Sequence, residues 1–189
     1  MTREEGLVAA AKAGDRNALE ELLAIHIDDL YRFSLQLMWS DKAGAEDLCQ
    51  ESLLSAIEGL PTFRGTSTFR TWLFGVAYNK YRHYLSRKDA IRKGATTMAA
   101  LPVVAQSSEV LVVAKQEQEV LDKALATIAP GQREALYLRD ILGCTYREAA
   151  TVLGISVSSV KNRVHHGRKS VTSAVKAMTG IVPKELVNK

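Results

Sequence analysis

Two stretches of helical periodicity, separated by about 30 residues that have none, constrain this chain more than any other feature of its sequence. After the Gly14-Asp15 pair, apolar residues recur at spacings of three and four: Leu19, Leu22, Leu23, Ile27, Leu30, Tyr31, Leu35 and Met38. We find no alternating run, bounded by turn residues, of the kind that predicts a β-strand. The chain is therefore predicted to be all-α.

Further helices follow the first. Asp41 is placed to cap a helix whose inward face is predicted to hold Ala45, Leu48, Cys49, Ser52, Leu53, Ala56 and Ile57. Pro61 and residues 63–67 interrupt the pattern, which predicts a loop. A long helix then carries Phe69, Trp72, Leu73, Val76, Ala77, Tyr84 and Leu85.

The segment between about residues 87 and 116 is rich in small and polar residues and lacks periodicity. Because so long a connection is unusual inside one compact domain, we predict two small helical domains joined by a flexible linker. The predicted bounds are 1–88 for the first domain, 89–117 for the linker, 118–178 for the second domain and 179–189 for a C-terminal tail.

The formal net charge of +4 conceals an alternation of sign along the chain. The net charge is −7 over residues 1–60, +7 over 61–100, −2 over 101–129 and +6 over 130–189. Basic zones can neutralise a polyphosphate, whereas an acidic zone repels it. This distribution favours nucleic-acid binding by the second and fourth zones, with a solvated surface as the alternative.

Residues 145–171 have the layout of a helix-turn-helix. Thr145 and Glu148 match a capping box, Gly154 can adopt the left-handed conformation that ends a helix, and Ser156 can cap the next helix. Apolar or small residues then share one face of that helix: Val157, Val160, Val164, Gly167 and Val171.

The opposite face of this second helix contains no acidic residue. Its members are Ser158, Ser159, Lys161, Asn162, Arg163, His165, His166, Arg168 and Lys169. Arg, Lys and Asn side chains bond base edges and phosphates in a major groove, so this face and the capping Ser156 are predicted to contact duplex DNA. A helical hairpin with a solvated basic face is the alternative. Adjacent side chains on a helix diverge by about 100°, so His165 and His166 do not predict a metal site.

Seven of the twelve aromatic residues fall within residues 63–84, interleaved with basic side chains. Unpaired bases expose faces on which rings stack, each worth about 1–3 kcal/mol, and an Asn amide can read a flipped base. Core packing is the alternative for about half of the rings, and Phe63, Tyr78 and Tyr81 are predicted to be the more exposed ones. The predicted single-strand contacts are Phe63, Arg64, Tyr78, Asn79, Tyr81 and Arg82.

An acidic helix face lies in the first 60 residues. It includes Asp47, Gln50 and Glu51, which predict a partner protein with a basic surface, or a solvated face as the alternative.

Several classes of protein are not indicated by the sequence. No apolar run approaches the roughly 18 residues of a membrane helix, and the N-terminus lacks a signal-peptide pattern. Cys49 and Cys144 are far apart and predict buried thiols rather than a disulfide or a metal site. We expect a cytoplasmic protein without membrane insertion, metal or cofactor. It is not expected to be an enzyme, because no paired carboxylates or activated nucleophile are evident.

The combination of motifs resembles the bacterial extracytoplasmic-function (ECF, group IV) sigma factors of the sigma-70 family. Their region-two domain is matched by AEDLCQESLL at 45–54, FRG at 63–65, FRTWL at 69–73 and Asn79. Their region-four domain is matched by PGQREALYLRD at 130–140, YREAA at 146–150 and VKNRV at 160–164. The resemblance covers about residues 15–87 and 118–175.

The resemblance implies a transcription initiation factor that binds core RNA polymerase and directs it to promoter DNA. It implies that Asp47, Gln50 and Glu51 meet the clamp helices of the β′ subunit, with the β flap as a second contact. The family's capture of a flipped −10 base falls on Phe63, Arg64, the following loop and Asn79. The family's −35 reading helix falls on Ser158, Ser159, Lys161, Asn162, Arg163 and His166. An anti-sigma factor is an implied regulatory partner.

The sequence departs from the family pattern at a few positions. His83 replaces a common Asp, and Asn162, His166 and Gly167 replace Ser, Arg and Ala, so the −35 preference of relatives does not carry over. Gly167 costs a helix interior up to about 1 kcal/mol relative to Ala and predicts a close contact or a bend.

Two other functions stay open from the residues. One is a stand-alone helix-turn-helix regulator with an N-terminal sensing or dimerising domain. The other is an enzyme that acts on nucleic acid.

Overall fold

The structure, a computed structural model, describes residues 2–39, 41–94, 120 and 123–179. The chain divides into two compact units, residues 1–105 and 106–189. Every regular element in the described ranges is helical, which confirms the predicted all-α fold. The predicted linker from residue 95 onward and the predicted tail from residue 180 onward lie outside the described residues.

Within the described residues, the first unit consists of four helices and a short 3₁₀ turn. They are α1 (Arg3–Lys12), α2 (Arg16–Met38), α3 (Lys42–Gly59), the 3₁₀ turn (Leu60–Thr62) and α4 (Phe69–Gly94). Asp41 caps α3 as predicted, because its Oδ1 accepts from the Gly44 amide at 2.8 Å. Helix α4 ends at Gly94, inside the segment 89–117 that was predicted to be linker.

Helix α2 packs against α1, α3 and α4, and its buried face differs from the predicted one. The buried residues are Ala18, Leu22, His26, Leu30, Phe33, Ser34 and Leu37, whereas Ile27 is exposed. Ser34 is accommodated because its hydroxyl donates to the Leu30 carbonyl at 2.9 Å. The Phe33 ring meets Phe74 of α4 with centroids 5.3 Å apart. The predicted stripe is correct at Leu22 and Leu30 but lies to one side of the buried face, which also takes in Phe33, Leu37 and the polar His26 and Ser34.

The inward face of α3 is confirmed at five of its seven predicted positions. Ala45, Leu48, Cys49, Ser52 and Ala56 are buried. Leu53 is half-buried, and the expectation for Ile57 was wrong because its side chain is exposed beside the buried stripe.

The described part of the second unit has a helical stretch at 123–126, followed by three helices. They are α5 (Pro130–Leu136), continued by a π-helical turn (Tyr137–Ile141), then α6 (Tyr146–Leu153) and α7 (Val157–Thr179). Leu138, Val160 and Val164 are fully or almost fully buried between these helices.

Gly167 lies where α7 crosses α5. A Cβ at this position would fall 2.7 Å from Cδ1 of Leu136 and 3.0 Å from its Cγ. The predicted close contact is therefore confirmed, and it explains a glycine in the middle of a 23-residue helix.

No helix in the described ranges combines the length and the apolar character needed to cross a membrane.

Candidate nucleic-acid interface

The turn between α6 and α7 is fixed by the predicted capping residues. Thr145 accepts from the Glu148 amide at 3.2 Å, while the Glu148 carboxylate accepts from the Thr145 amide at 2.7 Å. Gly154 has φ +64° and ends α6, and Ser156 Oγ accepts from the Ser159 amide at 3.2 Å. These contacts confirm the helix-turn-helix layout and set the start of α7.

The first turns of α7 present a polar surface without a carboxylate of their own. Its exposed members are Ser156, Ser158, Lys161, Asn162, His165, His166 and Lys169, whereas Ser159, Arg163 and Arg168 are partly covered. The burial of Val160, Val164 and Gly167 on the opposite side turns this surface away from the core of its own unit.

Arg168 is engaged by an acid that lies outside α7. Its Nε and Nη2 donate to the two carboxylate oxygens of Asp140 at 2.9 and 2.6 Å, and its side chain is 15% exposed. The hydrogen bond to Asp140 raises the pKa of the Arg168 guanidinium. Inspection of α7 alone missed this pair because Asp140 lies in the π-helical turn that follows α5.

Two further basic residues of α7 rest on neighbouring elements. Arg163 reaches the start of α5, where a Cβ on Gly131 would lie 2.8 Å from its Nη1. The Lys161 ammonium lies 5.8 Å from the centroid of the Tyr146 ring, which also receives the Arg139 guanidinium at 5.0 Å. Such cation–π contacts restrain the Lys161 and Arg139 side chains but do not occupy their hydrogen-bond donors.

The aromatic residues of the first unit are mostly buried, which corrects the prediction for three of them. Phe63, Tyr78 and Tyr81 are only 7%, 9% and 8% exposed. Tyr78 and Tyr81 extend the stripe of Phe74 and Ala77 at helical spacing, so they pack on the same inward face of α4. The alternative of core packing is therefore correct for these rings.

Phe63 joins an aromatic cluster at the start of α4. Its ring centroid lies 6.1 Å from Phe69 and 5.1 Å from Trp72, and Phe69 lies 5.6 Å from Trp72. Arg64 follows in the loop and is exposed, as are Asn79 and Arg82 along α4. The polar half of the predicted single-strand contacts therefore faces solvent, and the aromatic half packs in the core.

The outer face of α3 presents Asp47, Gln50 and Glu51, all exposed. The Glu51 carboxylate lies 3.9 Å from the Lys80 ammonium of α4, so it is the least free of the three. Leu54 lies on this face too, 62% exposed, and sequence analysis missed it. Its position four residues after Gln50 was the available signal, because such residues are neighbours on a helix.

His26 is a second residue that sequence analysis missed. Its ring is buried between helices, with Nε2 3.2 Å from Oε2 of Glu4 on α1 and its centroid 5.6 Å from the Phe69 ring. Burial lowers the pKa of His26, and the Glu4 carboxylate opposes that shift.

Potential reactive groups are few in the described part of the chain. No cluster of three His, Cys, Asp or Glu side chains there could hold a metal ion. Both cysteines are buried as predicted, and burial raises the pKa of the Cys49 thiol.

Comparison with known proteins places these surfaces in a family. The model for sigma-70 region 2 matches residues 22–91, and the model for sigma-70 region 4 matches residues 118–171. The ECF RNA polymerase sigma factor SigC of Mycobacterium tuberculosis is 32% identical over 169 residues, 87% of each chain. The chain belongs to the ECF sigma factors of the sigma-70 family.

Other relatives and solved structures are similar to this sigma factor over most of its length. The ECF sigma-E factor of Escherichia coli K12 is 24% identical over 93% of this chain and 95% of its own. The structure of CnrH with the cytosolic domain of CnrY has a TM-score of 0.67 and 26% identity, covering 90% of this chain and 96% of that one. The Bartonella quintana sigma factor RpoE, bound to the anti-sigma factor NepR, has a TM-score of 0.65 and 25% identity, covering 83% and 96%.

Membership of this family makes the chain a transcription initiation factor, and it does not favour the stand-alone regulator. The helix-turn-helix lies inside the region 4 match. Helix α3, the aromatic cluster and Asn79 lie inside the region 2 match.

Proposed function

We propose that this sigma factor divides its work among three surfaces, one for duplex promoter DNA, one for the melted strand and one for core RNA polymerase. The observation that carries the proposal is the exposed, carboxylate-free start of α7, presented by a capped turn. A basic helix surface of this kind suits the −35 element in a major groove.

The −35 contacts fall into two groups. Lys161, Asn162 and His166 are exposed and offer donors to base edges, and Ser156, Ser158, Ser159 and Lys169 flank them for phosphate contact. Arg163 and Arg168 are held by α5 and by Asp140, so they orient α7 and reach only the edge of the groove.

The −10 strand is proposed to meet the loop that starts at Phe63 and the exposed face of α4. Arg64, Asn79 and Arg82 supply phosphate and base-edge contacts, while the buried Phe63, Tyr78 and Tyr81 support them from below. Binding of unstacked bases would provide the free energy of melting without ATP. The sequence also has no phosphate-binding loop of the GxxxxGKS type.

Core polymerase is proposed to bind the outer face of α3. Asp47, Gln50 and Glu51 form its acidic part, and the exposed Leu54 adds apolar area beside them. The proposed partner surface is the β′ clamp helices, with the second unit resting on the β flap. The net charge of −7 over residues 1–60 suits a protein partner better than DNA.

Three further assignments belong to this proposal. The chain works in the cytoplasm without catalytic activity of its own, and its domains run from residue 1 to the end of α4 and over 118–178. It is also held inactive by an anti-sigma factor. The structures of CnrH with CnrY and of RpoE with NepR support the role of an anti-sigma factor, because each shows a related sigma factor bound to a second protein.

Run-off transcription over fragmented genomic DNA tests the proposal. Transcripts should arise only when the chain and core polymerase are both present, and making this face positive with Asp47→Lys and Gln50→Lys should reduce them about tenfold. Glu20→Lys is the matched control, since it changes the charge of an exposed residue on another helix and disturbs only a surface pair with Arg16. Tight duplex binding by the free protein, with no transcription when core polymerase is added, would instead favour the stand-alone regulator.

A further inference from the structure

We propose that Lys12, on the N-terminal helix α1, is a positioning residue for the loop that begins at Phe63. The inference rests on the proposed role of this loop in capturing the melted −10 strand. Lys12 lies 51 positions before Phe63 in the sequence, and nothing in the loop itself points to it.

The Lys12 ammonium donates to the Phe63 carbonyl at 2.7 Å in a partly buried contact. The peptide group that carries this carbonyl also carries the amide of Arg64. The bond therefore orients the first peptide of the displayed loop. A hydrogen bond from a charged donor is stronger than one between neutral groups.

Other contacts fix both ends of the loop and leave its middle exposed. The Phe63 ring is held by Phe69 and Trp72, and the Phe63 amide donates to the Leu60 carbonyl at 3.0 Å. At the far end, Thr68 Oγ1 accepts from the Thr71 amide at 3.2 Å. Between them lie Arg64, Gly65, Thr66 and Ser67, with Gly65 at φ +68°.

Helix α1 is attached to the rest of its unit by half-buried small and apolar residues and by polar contacts. None of its residues is buried. Arg3 pairs with Glu21, Glu4 approaches His26, and Lys12 reaches Phe63. The first two contacts hold α1 against α2, and the third connects α1 to the loop. Helix α1 therefore supports the position of the loop.

Open-complex formation by the holoenzyme measures this role. The probe is a promoter fragment recovered by run-off transcription, used as a duplex and with its −10 segment already unpaired by mismatches. Lys12→Met should slow opening of the duplex about fivefold to tenfold and leave binding to the unpaired fragment within about twofold. Lys12→Arg keeps a charged hydrogen-bond donor, and this variant should open the duplex at no less than half of the wild-type rate.

A matched control and a second substitution separate positioning from general destabilisation. Arg16→Met removes an exposed cation that pairs only with Glu20 on the surface, and it should leave the opening rate unchanged. In an Arg64→Ala background, Lys12→Met should have less than half of its effect, because both changes act through one loop.

The possible outcomes test the role of Lys12 separately from the proposed −10 contacts. If Arg64→Ala and Asn79→Ala leave opening unchanged, the −10 assignment fails and this inference with it. If those variants slow opening while Lys12→Met does not, only the role of Lys12 is overturned. A Lys12→Met defect that Lys12→Arg does not restore, or that is fully additive with Arg64→Ala, also overturns it.

Discussion

At the scale of single residues, Gly167 shows how a missing side chain sets the distance between two helices. Gly167→Ala should gain about 1 kcal/mol of helix propensity but lose about 1–3 kcal/mol through overpacking against the buried Leu136. The net result should be a loss of about 1 kcal/mol in the free energy of unfolding of the second unit. Amide hydrogen exchange, read separately for each unit, measures it.

Gly75 supplies the matched control for this substitution. It also lies inside a helix, α4, but nothing lies within 4 Å of the position its Cβ would take. Gly75→Ala should therefore stabilise the first unit by about 0.5–1 kcal/mol. Equal stabilisation by both substitutions would show that the contact between Gly167 and Leu136 carries no strain.

His26 makes the stability of the first unit depend on pH. Its pKa in the folded chain is lowered by burial, against the opposing effect of the Glu4 carboxylate on α1, with Arg70 of α4 lowering it and Asp29 of α2 raising it. The unfolded chain therefore binds a proton near pH 6.5 before the folded chain does. Stability present above pH 6.5 is lost as the pH falls below that value.

The variant His26→Gln isolates this effect from the titration of surface carboxylates. We expect the wild type to be the more stable of the two at pH 7.5, and we expect this advantage to shrink as the pH falls to about 5. Urea unfolding at several pH values measures the difference. A difference in the free energy of unfolding that stays constant over this pH range would show that His26 does not cause the pH dependence.

At the scale of elements, α7 separates a reading surface from a packing surface along one helix. Lys161→Ala with Asn162→Ala should weaken binding of the holoenzyme to its promoter. The double variant should also lower the slope of log affinity against log salt by about one, because the groove loses one positive charge, that of Lys161, close to the phosphates. Affinity measured over a series of salt concentrations gives both values.

Lys176 is the control within the same helix. It is also exposed, but it lies 15 residues, or about four turns, beyond Lys161. Lys176→Ala should leave the salt slope unchanged, and an equal effect of both variants would contradict the assignment of the start of α7.

At the scale of the whole molecule, each unit is built around its own core and carries its own surface chemistry. The acidic zone over residues 1–60 includes α3, and the basic zone over 61–100 includes the loop after Phe63 and α4. The basic zone over 130–189 includes α7. The net charge of +4 is therefore the sum of surfaces suited to different partners, and it describes none of them.

The sequence by itself determined where α3, α6 and α7 begin, where α6 ends and which family the motifs resemble. Asp41, Thr145, Gly154 and Ser156 were predicted correctly because a cap is local, involving only residues within a turn of each other. The reading surface of α7 was also visible, since helical spacing groups its side chains. Its roles in DNA contact stay predictions.

Only the tertiary structure decided which side chains are free. Arg168 is held by Asp140, and Lys12 reaches Phe63, through contacts between elements far apart in the chain. Periodicity gives the direction in which a side chain leaves its helix. Burial and pairing depend on what the neighbouring helix places there, and no local pattern contains that information.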